Sequence, residues 1–415
     1  MLGCPHSLAQ YTPTMDRCVG RLVKKLKGFA ASGQTVDMWA ELGNMTLEVV
    51  GECAYGIDLH SVVDGRECSE QQAALGRELV MACRAVFRQG AVQEASAYVR
   101  LQMVLPKALS PAVRWLANTF PDAKQLEALR VRRHIREVSK TLIDGWRATH
   151  NTKDSVKATG SSDMPASDGS PKRTGLKISE RSFLSTLLAG QGRADAALAG
   201  KEARGLDDVE IVQQAFIFII AGYETTANTL AFAIYLLAVN PEAEARLVEE
   251  VDAFCQARAI TTADLDKFPY ADAVVKEALR LHAPVGSTIR LATEELQVLG
   301  KTIPKGAFLS FPAHTFHNSE HFWPRPTEFL PERFLPEGQA TLGPTTPNAH
   351  MPFGMGARMC PGYKFAQQEA KISLVRLFQN FTFTLAPGLP RVPRTKTGLT
   401  TGPADGVPVV VHSRI

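Results

Sequence analysis

The stretch Pro352-Phe353-Gly354-Met355-Gly356-Ala357-Arg358-Met359-Cys360-Pro361-Gly362 decides how this chain is read. It is a glycine-punctuated loop that ends on one cysteine and runs into a helical pattern over Gly362 to Asn380. Proline suits a first helical position, where its missing N–H would be unpaired anyway, so Pro361 is expected to open that helix. A helix N-terminus stabilises negative charge and so biases Cys360 toward thiolate. Gly354 and Gly356 allow a tight turn that brings N–H groups near the sulfur. Arg358 offers a planar cation suited to a carboxylate or propionate.

An isolated cysteine is ordinarily a small buried hydrophobe. With no second thiol and no paired histidine, Cys360 makes a poor zinc site, yet one thiolate suffices as axial ligand to haem iron. The surroundings favour the ligand: Phe-x-x-Gly-x-Arg-x-Cys-x-Gly fixes Phe353, Gly356, Arg358, Cys360 and Gly362 at set spacing.

That string resembles the haem-ligand signature of the cytochrome P450 family, and three further motifs follow the family's order. Ala221-Gly222-Tyr223-Glu224-Thr225-Thr226 is similar to the oxygen-activation motif of its long central helix. Glu277-Ala278-Leu279-Arg280 matches its ExxR helix, and Pro331-Glu332-Arg333-Phe334 its PERF segment. ExxR alone says little, because i,i+3 ion pairs are commonplace on helices. The four together carry the resemblance over nearly the whole chain.

The resemblance implies a mainly α fold with small β-sheets, in a single domain spanning 1–415, and haem b as cofactor. It implies O2 as co-substrate, and NADPH electrons arriving through a flavoprotein reductase or a ferredoxin. Cys360 would bind iron, with Phe353, Gly354, Gly356, Arg358, Gly362, Ala221 and Gly222 around the haem and Arg290 as a propionate partner. Gly222 costs about 1 kcal/mol against Ala in mid-helix, which suits close approach of a flat ring or O2. Glu224 and Thr225 would relay protons; alternatively Thr225 bonds back to a carbonyl one turn earlier. Glu277, Arg280 and Arg333 resemble the family's buried triad that holds the cysteine loop. Phe218, Ile219, Val285 to Ile289 and Thr400 to Gly402, Thr401 included, fall where relatives line the substrate pocket, although core packing reads them equally well. His314 and His317 read as polar packing, with haem contact at His317 the alternative. Lys364 and Lys371 lie where relatives dock acidic partners, and read equally as solvated lysines.

The implied activity is a haem-thiolate monooxygenase acting on a lipophilic small molecule. Two alternatives stand beside it: a haem-thiolate isomerase or dehydratase that rearranges a peroxide without reductase, and a truncated, non-catalytic haem binder. The truncation is suggested because no anchor, first helices or Trp-x-x-x-Arg helix is found before Thr14. Relatives sit on the endoplasmic reticulum membrane. The 135-residue spacing from Thr225 to Cys360 resembles the microsomal type, and the motifs resemble the clan of thromboxane synthase and the drug oxidases.

Composition agrees with a globular enzyme. The 415 residues are 45% hydrophobic and 21% charged, which excludes disordered, collagen-like and coiled-coil chains. A net charge of +4 over this length gives no argument for nucleic acid. The seven cysteines, at 4, 18, 53, 68, 83, 255 and 360, include no CxxC pair, so free thiols in a reducing compartment are expected. Met15, Val19, Leu22, Val23, Leu26 and Ala30 predict an amphipathic helix, read as a core helix with a solvated basic face, or as one lying on a membrane.

Ala215 to Val239 is long enough to span a membrane, yet Glu224, Thr225, Thr226, Asn228 and Thr229 sit at its centre. A carboxylate there would cost roughly 2.5–3.5 kcal/mol, so a buried helix fits better. Leu126 to Trp146 and Tyr270 to His282 also read as helices. Short strands are expected at Thr288–Ala292, Gln297–Leu299, Ala307–Phe311 and Pro408–His412, with a proline-rich meander from Phe322 to Pro336. Residues 151–175 hold no Leu, Ile or aromatic residue and read as a disordered insertion.

Overall fold

The central apolar run folds as one helix, Asp208–Val239. Leu230, Ala231, Phe232, Ala233, Ile234 and Leu237 expose no surface, as expected of a helix that is apolar all round. It is long and apolar enough to cross a membrane, but most of its apolar window is buried inside the fold. The computed structural model describes residues 8–62, 78, 81–87, 96–127, scattered positions from 129 to 147, 182–189, 206–254, 260–343 and 346–414. The expected insertion at 151–175 lies outside the described residues, and the expected helix over Leu126 to Trp146 lies only partly within them.

The chain divides into two compact units. One comprises Met1–Met45 and Glu224–Ile415. Its first helix, Thr12–Ser32, buries Met15, Cys18, Val19, Leu22 and Leu26, the apolar stripe seen in the sequence, so the core-helix reading holds. This helix packs on the one after the cysteine, Tyr363–Asn380. Tyr11 meets Phe365 edge-on at 5.7 Å, and the Gln368 side chain donates to Thr12 Oγ1 at 2.7 Å. Each fully buried Leu or Val contributes about 1.5–3 kcal/mol.

A three-stranded antiparallel sheet places Pro408–Ser413 between Val36–Asp37 and Phe381–Leu385. Phe383 faces Val411 in register, and alternation buries Phe381, Phe383, Val409 and Val411. Thr288–Leu291 pairs with Phe308–Phe311, close to two expected strands, and Leu296–Val298, near a third, pairs with the unexpected strand Lys301–Ile303. A further hairpin joins Thr395–Thr397 to Thr401–Pro403.

The second unit is Thr46–Tyr223. Thr46 Oγ1 donates to the Tyr223 carbonyl at 2.8 Å, and the buried Glu48 accepts the Val62 amide at 3.0 Å. Phe183 lies against Phe218, ring centroids 3.9 Å apart. Cys18, Cys53, Cys83 and Cys360 are free thiols, as expected of the described cysteines.

Candidate active site

The cysteine loop is closed by a hydrogen bond from Cys360 N–H to Phe353 O at 2.9 Å. Gly354 and Gly356 both sit at φ +73°, a left-handed conformation that L side chains resist, so glycine is needed for the turn. One expectation needs correction. The helix begins at Tyr363, so Pro361 lies in the turn before it and does not open it.

A buried charged triad ties the meander to the helix Pro269–Leu281. Glu277, on the helix Pro269–Leu281, is fully buried beside Arg280 and Arg333. Glu277 Oε2 accepts Arg280 Nε at 2.8 Å, and Oε1 accepts Arg280 NH2 at 2.8 Å, Arg333 Nε at 3.0 Å and the Leu330 amide at 3.0 Å. Arg280 directs its remaining N–H groups to the carbonyls of His317 and Pro326 at 2.7 Å and Glu328 at 3.1 Å. All five donors of that guanidinium are therefore satisfied. Arg333 reaches the carbonyls of Pro324 at 2.7 Å and Arg325 at 2.9 Å. The triad thus grips the meander directly.

His317 is fully buried, and its Nε2 accepts the Met351 amide at 2.9 Å at the start of the cysteine loop. Its ring also stacks on His350, 5.4 Å away. That placement is the polar-packing reading; His314 is exposed. Lys371 is not a free docking cation: its ammonium lies 3.4 Å from Asp272 and donates to Leu265 O at 3.2 Å.

On the central helix, burial pushes Glu224 up to about 7 against the opposing pull of Thr400 and Lys396. Its Oε2 is buried without a hydrogen-bond partner. The Thr229 hydroxyl, one turn on from Thr225, donates back to Thr225 O at 2.9 Å. Gly222 has a packing reason for lacking a side chain, which its sequence context did not suggest: a Cβ would come within 2.4 Å of Val50 Cγ2.

A model of one family, described as "Cytochrome P450", matches residues 2–407. The chain belongs to the cytochrome P450 family. The match takes in all of the second unit and all but the two ends of the first. The thromboxane-A synthase of Macaca fascicularis is 31% identical over 416 residues, 99% of this chain and 73% of the relative. Cytochrome P450 3A9 of Rattus norvegicus is 42% identical over 181 residues, 43% of this chain and 35% of the relative. Cytochrome P450 3A13 of Mus musculus is 43% identical over 180 residues, again 43% of the chain and 35% of the relative.

The cofactor of a cytochrome P450 is haem b, with O2 and electrons passed from NADPH by a reductase. The residues of this P450 fit that group. Cys360 is exposed, and a Cβ built at Gly354, Gly356 or Gly362 would meet no atom within 4 Å. Met355 and Met359 show exposed apolar surface on the same loop. Arg358 has no partner among the described residues, and Arg290 bonds only to the adjacent Ile289 carbonyl at 3.0 Å. Two cations without carboxylates and an uncovered apolar loop around a thiol suit an amphipathic ring bearing propionates.

Of the residues expected to line a pocket, Val285 and Ile289 are exposed, whereas Ile219 is 2% exposed and sits in the core. Thr401 is half-buried, its N–H donating to Pro284 O at 2.8 Å. Sequence reading missed Asn228 as an organiser. Asn228 Nδ2 donates to Thr400 Oγ1 at 3.2 Å and Thr401 O at 3.0 Å, while Oδ1 accepts Trp39 Nε1 at 2.6 Å. Its one sequence signal was an amide in a run of buried apolar residues.

Proposed function

We propose that this P450 is a monooxygenase that inserts one atom of O2 into a lipophilic small molecule, with reductase- or ferredoxin-delivered electrons, at the endoplasmic reticulum membrane. The observation that carries this reading is the Glu224 carboxyl, set by burial at about 7 beside Thr225, with Oε2 free. A group half-protonated near neutrality both gives and takes a proton efficiently. When bound, thiolate-ligated haem supplies the activation of O2, the sulfur's electron donation favouring O–O cleavage. The chain's residues do the rest: Cys360 holds the iron, Arg358 and Arg290 pair with the propionates, and Glu224 exchanges protons with the Thr225 hydroxyl. Substituting Thr225→Ala tests this. Electrons from NADPH should then go to hydrogen peroxide in place of product; unchanged coupling would overturn the relay.

The likeness over 99% of the chain to a protein named as a synthase supports a second reading, rearrangement of a peroxide without electron donor. Product formed from a hydroperoxide with reductase and NADPH omitted would select it. The intact Glu224-Thr225 pair favours the monooxygenase.

A further inference from the structure

Glu224, Asn228 and Phe232 lie on successive turns of the central helix and share one face of it. Two separate segments dock on that face. His282, which caps the helix Pro269–Leu281, stacks on Phe232 with ring centroids 4.3 Å apart and planes 17° apart. The tip of the hairpin Thr395–Thr397/Thr401–Pro403 is held by Asn228, whose Nδ2 donates to Thr400 Oγ1 at 3.2 Å and to Thr401 O at 3.0 Å. The tip closes on itself through Gly398 N–H to Thr400 O at 2.9 Å, and Thr401 N–H ties it to Pro284 O at 2.8 Å. Trp39 Nε1 donates to Asn228 Oδ1 at 2.6 Å. An indole N–H can only donate, so Trp39 decides which end of the amide faces the hairpin. The fit is close: a Cβ at Gly402 would meet Asn228 Oδ1 at 2.9 Å.

Apolar packing is non-directional, whereas a fully satisfied buried amide fixes one register. Asn228 exposes no surface, and both its N–H groups and its oxygen are engaged. Val285, next to Pro284, and Leu399, next to Thr400, are large apolar side chains left exposed. The Asn228 amide thus sets where two uncovered apolar residues stand relative to Glu224, one turn away, whose buried Oε2 has no hydrogen-bond partner. We infer that Asn228 is a specificity-determining residue: by clamping the hairpin tip, and through it the chain at Pro284, it positions the apolar wall against which a substrate lies. The role rests on the lipophilic substrate proposed above.

The preference of the haem-loaded full chain for N-dodecylimidazole over imidazole reads this wall without turnover. Both ligands bind haem iron through nitrogen, but only the first carries an alkyl chain to lay along the wall, and both Kd values follow from the Soret shift. Asn228→Leu should lower the preference about tenfold while imidazole itself binds as in the wild type. Trp39→Phe keeps a ring for Lys396 and removes only the bond to Oδ1, so it should lower the preference in the same direction by about threefold. If Asn228→Leu does not fold, Trp39→Phe decides. An unchanged preference in the deciding variant, or equal weakening of both ligands, overturns the role of Asn228 and leaves the lipophilic substrate standing. A wild-type chain that binds N-dodecylimidazole no more tightly than imidazole overturns that reading, and the role of Asn228 with it.

Discussion

The Met351 amide donates to Nε2 of His317 at 2.9 Å, which ties the residue that opens the cysteine loop to a buried histidine. His317 O is also a ligand of Arg280 at 2.7 Å. His317 thus links the start of the cysteine loop to the triad. His317→Ala would leave the Met351 N–H without its partner, costing about 1–3 kcal/mol. The expected outcome is a lower Tm and faster haem loss, measured by thermal unfolding and by haem transfer to an apo-acceptor. Unchanged haem retention would show that the loop is held otherwise.

Arg280→Lys should be far more damaging than its retained charge suggests. Lysine has three donors and no fork, so at least two of the five bonds made by Arg280 are lost in a site without water-exposed surface. Disrupting such a buried pair costs about 3–5 kcal/mol. Urea denaturation and the yield of haem-loaded protein would measure it, and a shift in urea midpoint too small to resolve would count against the triad as the anchor.

Acid should destabilise the fold below about pH 6.5. Burial holds His282 and His317 near 4 and His350 near 3, so each is neutral in the folded state and protonates in the unfolded one first. The unfolded chain then binds more protons, and stability is lost as pH falls from about 6.5 through 4 to 3. Each histidine contributes a slope of at most about 1.4 kcal/mol per pH unit. Denaturant midpoints at pH 7.5 and 5 should differ accordingly, and the His350→Phe variant should show a smaller difference.

Glu369 gives the opposite slope. It has no exposed surface, both oxygens lack partners, and burial raises it well above the ordinary carboxyl value. It stays protonated when folded, so stability falls as pH rises above about 4.5 toward its folded value. Glu369→Leu should raise stability at pH 7 by about 1–3 kcal/mol and remove that part of the pH dependence, as read by calorimetry. A destabilised variant would mean that the carboxyl has a structural use.

The Cys360→Ser variant should lose the strongly red-shifted Soret band in the carbon monoxide difference spectrum of the reduced holoprotein. A band that survives the substitution would mean that another residue holds the iron.

What the sequence made legible was local. Cys360 with Phe353, Gly356 and Arg358, and Glu277 with Arg280, are recognisable because their spacing is short and fixed by a turn or a helix. The apolar stripe Met15 to Leu26 was legible for the same reason, since periodicity carries it. Asn228 was not, because its partners Trp39 and Thr401 lie 189 and 173 residues away. Gly222 and Gly402 were opaque likewise, for the atoms that forbid a side chain there come from Val50 and Asn228.

The separation between Asn228 and Thr400 also bears on biosynthesis. The central helix leaves the ribosome 172 residues before the hairpin that completes it. At roughly 5–20 residues per second, that is a wait of about ten to thirty seconds. Throughout that interval the nascent chain displays its longest apolar surface, with the polar groups of Glu224 and Asn228 not yet matched. A chaperone or a bilayer surface that shelters residues 208–239 during this window would determine yield more than the stability of the finished protein.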